Sequence, residues 1–290
     1  MTIAAQRPAD PLRPRSAAAR TALGLVLATH AGPTVAVVGY ATATAVASGL
    51  GPRSALLAFA VLCGQASVGW SNDWIDAARD TARHRPDKPI ARGLVDRRVV
   101  GRCAFTALAL CVPASFALGW RAGIAHLVAV GAAWSYNLGL KRTIISPLPY
   151  LVAFALVPVV VAAALPDHPR APAALIAASG LLGVSAHLTN AVEDLADDEA
   201  TGIRGLPQRL GVVASTIASA LTLLVALGLF LSLPGRVTTA TVILSCVAAA
   251  LSLTAVMRAL MHRLRGLFAL SVVAVLPLVI AVAATGGVQG

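Results

Sequence analysis

Ten of the twelve acidic residues in this 290-residue chain fall in two short segments. They are Asp73, Asp76, Asp80, Asp87 and Asp96, then Glu193, Asp194, Asp197, Asp198 and Glu199. The cores of the segments read NDWIDAARD (72–80) and NAVEDLADD (190–198), each with Asn at its first position and Asp at its fifth and ninth. Residues i, i+4 and i+8 of an α-helix advance by only about 40° and 6 Å per step. Asn72, Asp76 and Asp80 therefore line one stripe, and Asn190, Asp194 and Asp198 another. Two carboxylates on one stripe repel unless a cation sits between them. Two stripes facing across a bundle make an oxygen-rich cage, and such donors suit Mg²⁺, which keeps several waters and is completed by substrate phosphates. Asp76, Asp80, Asp194 and Asp198 are thus the expected metal ligands. Asp73 adjoins the first stripe rather than lying on it, as a contact to the metal or to its ligands, and Asp197 and Glu199 are expected to be solvated. A solvated helix end would explain one such segment, but not two matched copies that hold most of the acids.

Cations accompany each copy. RHRPDKPIARG follows the first, with Arg83, Arg85, Lys88 and Arg92; GIRGLPQRLG follows the second, with Arg204 and Arg209. Between them WSYNLGLKR brings Tyr136, Lys141 and Arg142. A metal with Lys and Arg converging on one mouth holds a diphosphate and stabilises it as a leaving group.

The elements that must position these residues are membrane helices. The chain is 58% hydrophobic and only 12% charged, with a mean hydropathy of +0.80. That excludes an ordinary soluble domain and, equally, a disordered one. Stretches of roughly 20 apolar residues, enough to cross about 30 Å of hydrocarbon, recur nine times. They cover about 22–46, 53–71, 97–119, 122–140, 148–165, 171–191, 211–233, 237–257 and 265–285. Without an alternating strand pattern they read as helices, kinked at Pro33, Pro113, Pro158 and Pro277. The expected fold is all-α, a polytopic bundle of nine transmembrane helices around a central cavity with two related Asp-rich halves. A basic amino-terminal tail over 1–20 precedes one domain over 21–290. With the amino terminus in the cytoplasm, nine spans put 19 of the 23 Lys and Arg on the cytoplasmic side, leaving Arg53, Arg121, Arg170 and Arg236 outside. The net charge of +11 is then a record of topology in a multi-pass cell-membrane protein with a cytoplasmic mouth, and nucleic acid is not an expected partner.

The two Asp motifs and their flanks, RPDKP with Gly93 after the first and EATGIRGLPQRLG after Asp198, resemble the UbiA-type intramembrane prenyltransferase family along nearly the whole chain. WSY…KR at 134–142 resembles its middle cytoplasmic loop. The resemblance implies Mg²⁺-complexed prenyl diphosphate bound by both motifs, its tail in a lipid-accessible apolar chamber. It also implies diphosphate-binding roles for Lys88 and Arg204, with Tyr136 near the reacting end. Asn72, Arg92, Lys141 and Asn190 complete the expected substrate contacts. Gly205 departs from the pattern, where the family often has Thr, and this removes one diphosphate contact. Ionisation of an allylic diphosphate gives a delocalised cation, which a dry bundle protects from water until a lipophilic, aromatic or quinone-precursor acceptor attacks. A terpene cyclase that uses the prenyl diphosphate without an acceptor is the alternative. A transporter fits less well, because the acids sit at helix ends rather than at the midplane. Cys63, Cys103, Cys111 and Cys246 read as packing residues, and the four Trp as interfacial anchors. His187, three residues before Asn190, is within reach of an acceptor.

Overall fold

The apolar stretches resolve into ten α-helices in the computed structural model, which describes residues 16–200, 202–263 and 266–288. Side chains at 193, 194, 196–200, 268, 269, 271, 272 and 283 lie outside the described residues. The helices are α1 (Ala17–Ala28), α2 (Ala31–Ala47), α3 (Arg53–Ala82), α4 (Arg97–Phe116), α5 (Trp120–Leu138), α6 (Leu148–Ala164), α7 (Ala173–Ala200), α8 (Leu206–Leu231), α9 (Thr239–Leu260) and α10 (Leu267–Ala284). A 3₁₀ turn, Leu140–Arg142, links α5 to α6, and no strand occurs among the described residues.

The first expected span is broken. α1 and α2 meet at 58°, with His30 between them in the left-handed region (φ 53°). Pro33 explains the break, because it has no N–H to offer the carbonyl four residues back, that of Thr29. The Thr34 hydroxyl donates to that carbonyl instead, at 2.7 Å. By length and apolarity, five helices suffice to cross a membrane, or six if the bent pair counts as one span. Among the described residues, α5 and α6 fall short of that standard for local reasons. α6 has 17 residues, about 25 Å of rise, and α5 carries Arg121, His126 and Asn137.

Packing between helices arranges six of them in a ring. α3 packs on α5, α5 on α6, α6 on α7, α7 on α10, α10 on α2, and α2 on α3. α4 lies against α3 and α5 outside the ring, and α8 and α9 flank α7 and α10. α3 and α7, which carry the two Asp motifs, are therefore opposite members. Small and hydroxyl side chains permit the close approaches, as expected where hydrocarbon gives no hydrophobic drive between helices. Ser219 on α8 joins Ser185 and Thr189 of α7 through hydroxyl contacts of 2.9 and 2.8 Å. A Cβ on Gly183 would lie 2.4 Å from the Tyr150 carbonyl oxygen, so α6 and α7 touch there backbone to helix. Gly183→Ala is expected to cost about 1–3 kcal/mol through forced separation. Thermal unfolding in detergent checks this, and an unchanged midpoint would show that the two helices part freely.

The end of the bundle away from the acids is closed by two arginines. Arg53 donates to the Leu118 and Ala164 carbonyls at 2.8 and 2.7 Å, capping α4 and α6. Arg236, fully buried, donates to the Thr285 and Gly287 carbonyls beyond α10. Val288 N–H donates to Ser48 Oγ at 2.9 Å, so the chain returns to the end of α2. Two of the four Trp are interhelical ties as well as anchors: Trp70 donates to the Leu25 carbonyl and Trp134 to Ser67 Oγ.

Candidate functional site

The last three turns of α3 bury Asp73, Asp76, Ala77 and Asp80 on one face. The three carboxylates are only 2%, 4% and 3% exposed, so each must meet a partner. Asp76 Oδ2 accepts from Arg79 Nη2 at 3.0 Å and from Lys141 Nζ. Asp80 Oδ1 lies 3.4 Å from Arg79 Nε. Asp73 Oδ1 accepts from Lys88 Nζ at 2.9 Å and lies 3.0 Å from His30 Nε2. Asp73 Oδ2 is buried with no hydrogen-bond partner. Asp73 is thus the most buried acid of the face. The offset of three from Asp76 and seven from Asp80 is the helical signal that marks it.

Lys88 reaches Asp73 because the loop after α3 folds back on itself. Consecutive turns bond Arg92 N–H to the Lys88 carbonyl at 3.0 Å and Leu94 N–H to that of Pro89 at 3.0 Å. Buried Leu94 and Val95 then dock on α1, where Gly24 leaves no room for a Cβ beside Val95. Arg85 forks onto Asp87 at 2.9 and 2.8 Å and holds that carboxyl below the usual carboxylate range. Arg92 is exposed at the rim.

Lys141 lies in the 3₁₀ turn, 6% exposed, and burial pushes its ammonium below the ordinary lysine pKa against the pull of Asp76. The turn is held from behind by the segment before α8. A Cβ on Gly205 would lie 2.5 Å from the Lys141 carbonyl oxygen, 2.8 Å from Gln208 Oε1 and 3.0 Å from Ser146 Oγ. The departure from Thr at this position has a steric cause: only glycine lets the two segments meet. Ser146 Oγ accepts the Leu206 N–H at 3.1 Å and completes the junction.

One layer deeper the site turns aromatic, then apolar. Asn72 donates to Asn137 Oδ1 at 3.2 Å, and Asn137 is fixed in turn by the Val68 carbonyl and Ser71 Oγ. Tyr136, Tyr150 and His187 pack ring against ring, with centroids 4.9–5.5 Å apart. Farther along the same helices an apolar cleft opens inside the ring, with a cavity volume of about 50 Å³. Val37 and Ala41 of α2, Leu57 and Val61 of α3, Val130 of α5 and Phe154 of α6 are among its walls. Gln65 and His126 are its polar members, and His126 Nδ1 is tied to Ser115 Oγ at 2.7 Å.

The expected residues divide into groups. Asn72, Asp76, Asp80, Lys88 and Lys141 come together, with Tyr136 one turn before Lys141. Asn190 is half-buried on α7, and Arg204 is exposed, its carbonyl accepting from Arg209 at 3.1 Å. α7 is helical through 194 and 198, which keeps the second stripe in register. The side chains of Asp194 and Asp198 lie outside the described residues. Among the described residues no three His, Cys, Asp or Glu side chains are disposed to hold a metal. Arg79 and Lys141 lie against the carboxylates of the first stripe, and Lys88 against Asp73 beside it. His30, Asn137, Ser146 and Tyr150 were not expected here. Asn137 lies within WSYNLGLKR but was not singled out there; His30, Ser146 and Tyr150 belong to no motif and arrive from the α1–α2 break, the α5–α6 loop and α6 only through packing.

The UbiA prenyltransferase family model matches residues 31–266. The chain belongs to the UbiA prenyltransferase family. An apo UbiA homolog from Aeropyrum pernix K1 superposes with a TM-score of 0.67 at 19% identity, covering 87% of this chain and 97% of that one. A digeranylgeranylglyceryl phosphate synthase structure gives 0.65 at 16% identity, over 92% and 98% of the two chains. A UbiA homolog from Archaeoglobus fulgidus bound to GPP and Mg²⁺ gives 0.61 at 15% identity, over 89% and 99%. A search among curated proteins finds no match. The UbiA fold accounts for the all-helical architecture, and the protein is a membrane protein.

Proposed function

We propose that this UbiA member transfers a prenyl group from a Mg²⁺-complexed prenyl diphosphate to a lipophilic, aromatic or quinone-precursor acceptor within the membrane. The observation that carries the reading is the layering along the inside of the ring: buried carboxylates with lysines, then aromatic rings, then an apolar cleft. A prenyl diphosphate has the same order of chemistry, with charge at one end, an allylic carbon next, and hydrocarbon beyond. The solved relative from Archaeoglobus fulgidus bound to GPP and Mg²⁺ supports the same reading.

The donor set fits a hard cation. Asp73, Asp76 and Asp80 offer only oxygen, and Asp73 Oδ2 has no competing hydrogen bond. Mg²⁺ needs only one or two protein carboxylates when phosphates and water supply the rest. When bound, the metal would neutralise charge on the diphosphate as it leaves. Asp76, Asp80, Asp194 and Asp198 would hold it, with Asn72 and Asn190 beside them. Lys88, Lys141, Arg92 and Arg204 would take the diphosphate oxygens. The Tyr136 ring would face the allylic carbon as its bond to oxygen breaks, since an aromatic face stabilises a cation. The acceptor carbon then forms the new bond and passes its proton to an oxygen of the released diphosphate, while the cleft keeps water from the cation.

The same reading gives nine crossings with the amino terminus and mouth in the cytoplasm. Two features support it. With the bent α1–α2 pair taken as one crossing, the return of Val288 to the end of α2 supports first and last crossings of like direction, hence an odd number. Arg53 and Arg236, two of the four cations at the far end, are helix-end clamps rather than topology signals.

Membranes containing the protein, given Mg²⁺ and prenyl diphosphates from C10 to C20 and longer, test the function by mass spectrometry with aromatic and quinone-precursor acceptors. A prenylated acceptor is expected, with chelation of Mg²⁺ reducing its formation by about 10²-fold or more. Release of a hydrocarbon from prenyl diphosphate alone, with no prenylated acceptor, would make the protein a cyclase.

A further inference from the structure

His187 is 1% exposed, and its Nδ1 has no hydrogen-bond partner. Its other nitrogen, Nε2, lies 3.1 Å from Ser146 Oγ. Ser146 Oγ also accepts the Leu206 N–H, and between Oγ and Nε2 the donor depends on the ring tautomer. Donation by the Ser146 hydroxyl, whose acceptor in these contacts is Nε2, requires an unprotonated Nε2 and so puts the hydrogen of a neutral ring on Nδ1. In that arrangement His187 holds a buried N–H donor without an acceptor. Buried donors in that condition are rare and ask for a partner.

Its surroundings indicate which partner. Tyr136 and Tyr150 stand edge to face, 5.2 Å apart, and His187 packs against both. Flat apolar rings about one N–H donor suit a planar molecule bearing oxygen. The diphosphate is the weaker claimant, because Lys88 and Lys141 lie toward the mouth with the carboxylates, whereas a neutral imidazole among rings offers no charge. An N–H donor cannot also take a proton, so this nitrogen orients its partner rather than deprotonating it.

We propose that His187 Nδ1–H donates a hydrogen bond to an oxygen of the acceptor substrate, an oxygenated aromatic ring held against Tyr136 and Tyr150. The proposal rests on the prenyl-transfer reading and names its acceptor class. Ser146 acts through His187 as a positioning residue, fixing the tautomer.

Nitrogen-15 histidine NMR of the full chain in detergent tests the donor without turnover, with His187→Gln supplying the assignment. The Nδ1–H tautomer is expected; 1-naphthol should shift that resonance and naphthalene should not. An Nε2–H tautomer, or equal responses to the two probes, overturns the proposal. Kinetics with geranyl diphosphate, Mg²⁺ and 1,4-dihydroxy-2-naphthoate supply the second arm. His187→Gln, whose amide reaches the Nε2 position, should raise the acceptor KM at least 10-fold and move the geranyl diphosphate KM less than 2-fold. His187→Asn, whose amide occupies the Nδ1 position, should recover most of the loss. Equal changes in both KM values would make His187 structural and overturn the proposal. Geranyl diphosphate consumed to hydrocarbon alone would sink prenyl transfer, and the naphthol comparison would still decide the donor.

Discussion

Asp76→Asn is expected to slow Mg²⁺-dependent diphosphate release by about 10²–10³-fold, the scale of losing one preorganised charge contact at a leaving group. Asp76 accepts from both Arg79 and Lys141 and is 4% exposed, so the substitution also leaves a buried lysine without its counterion. Breaking a buried pair from one side costs about 3–5 kcal/mol, whereas removing both partners is often neutral. Asp76→Asn combined with Lys141→Met separates the two effects. The double variant should recover much of the lost thermal stability and none of the turnover. Recovery of turnover along with stability would make Asp76 only the counterion of Lys141, and the metal assignment would fail. Steady-state diphosphate release and detergent thermal unfolding on the same preparations provide both readouts.

Gly205→Thr, the change that restores the residue the family often has, is expected to damage this protein. A Cβ there meets the Lys141 carbonyl at 2.5 Å, and that atom is backbone, which cannot swing away as a side-chain tip can. Overpacking of this kind costs about 1–3 kcal/mol or more. At about 2–4 °C per kcal/mol for a domain of this size, the unfolding midpoint should fall by roughly 5 °C. The strain falls on the junction that holds Lys141 to Asp76 and Ser146 to His187, so diphosphate release should fall by about 10-fold or more. Gly205→Ala isolates the Cβ from the hydroxyl and should reproduce most of both losses. An Ala variant with the wild-type midpoint and full turnover would show that the α5–α6 loop yields freely, and that the departure from Thr has no steric cause.

Much of this was legible in the sequence because its signals are local or periodic. The offset of four between Asn72, Asp76 and Asp80 needs only helical geometry to become a stripe, and apolar length needs only the hydrocarbon thickness to become a membrane helix. Pro33 predicted a kink and the chain breaks there. The motifs with their flanks carried the family, which the match over residues 31–266 shows. The nine spans were less legible, because α5 carries Arg121, His126 and Asn137 and α6 is only 17 residues long.

Tertiary structure decided what depends on a partner distant in sequence. The offset of Asp73 placed it only beside the stripe; burial against Lys88 and His30 makes it the most buried acid of the face. Gly205 read as a missing contact, and the Lys141 carbonyl behind it turns the departure into a packing requirement. His187 had only its place before Asn190 to recommend it. Ser146, 41 residues away, fixes the orientation of its ring, and Tyr136 and Tyr150 give it a surrounding. Periodicity along one helix can say which residues share a face. It cannot say which other helix that face meets, because burial and hydrogen-bond satisfaction are settled only when separate segments pack together.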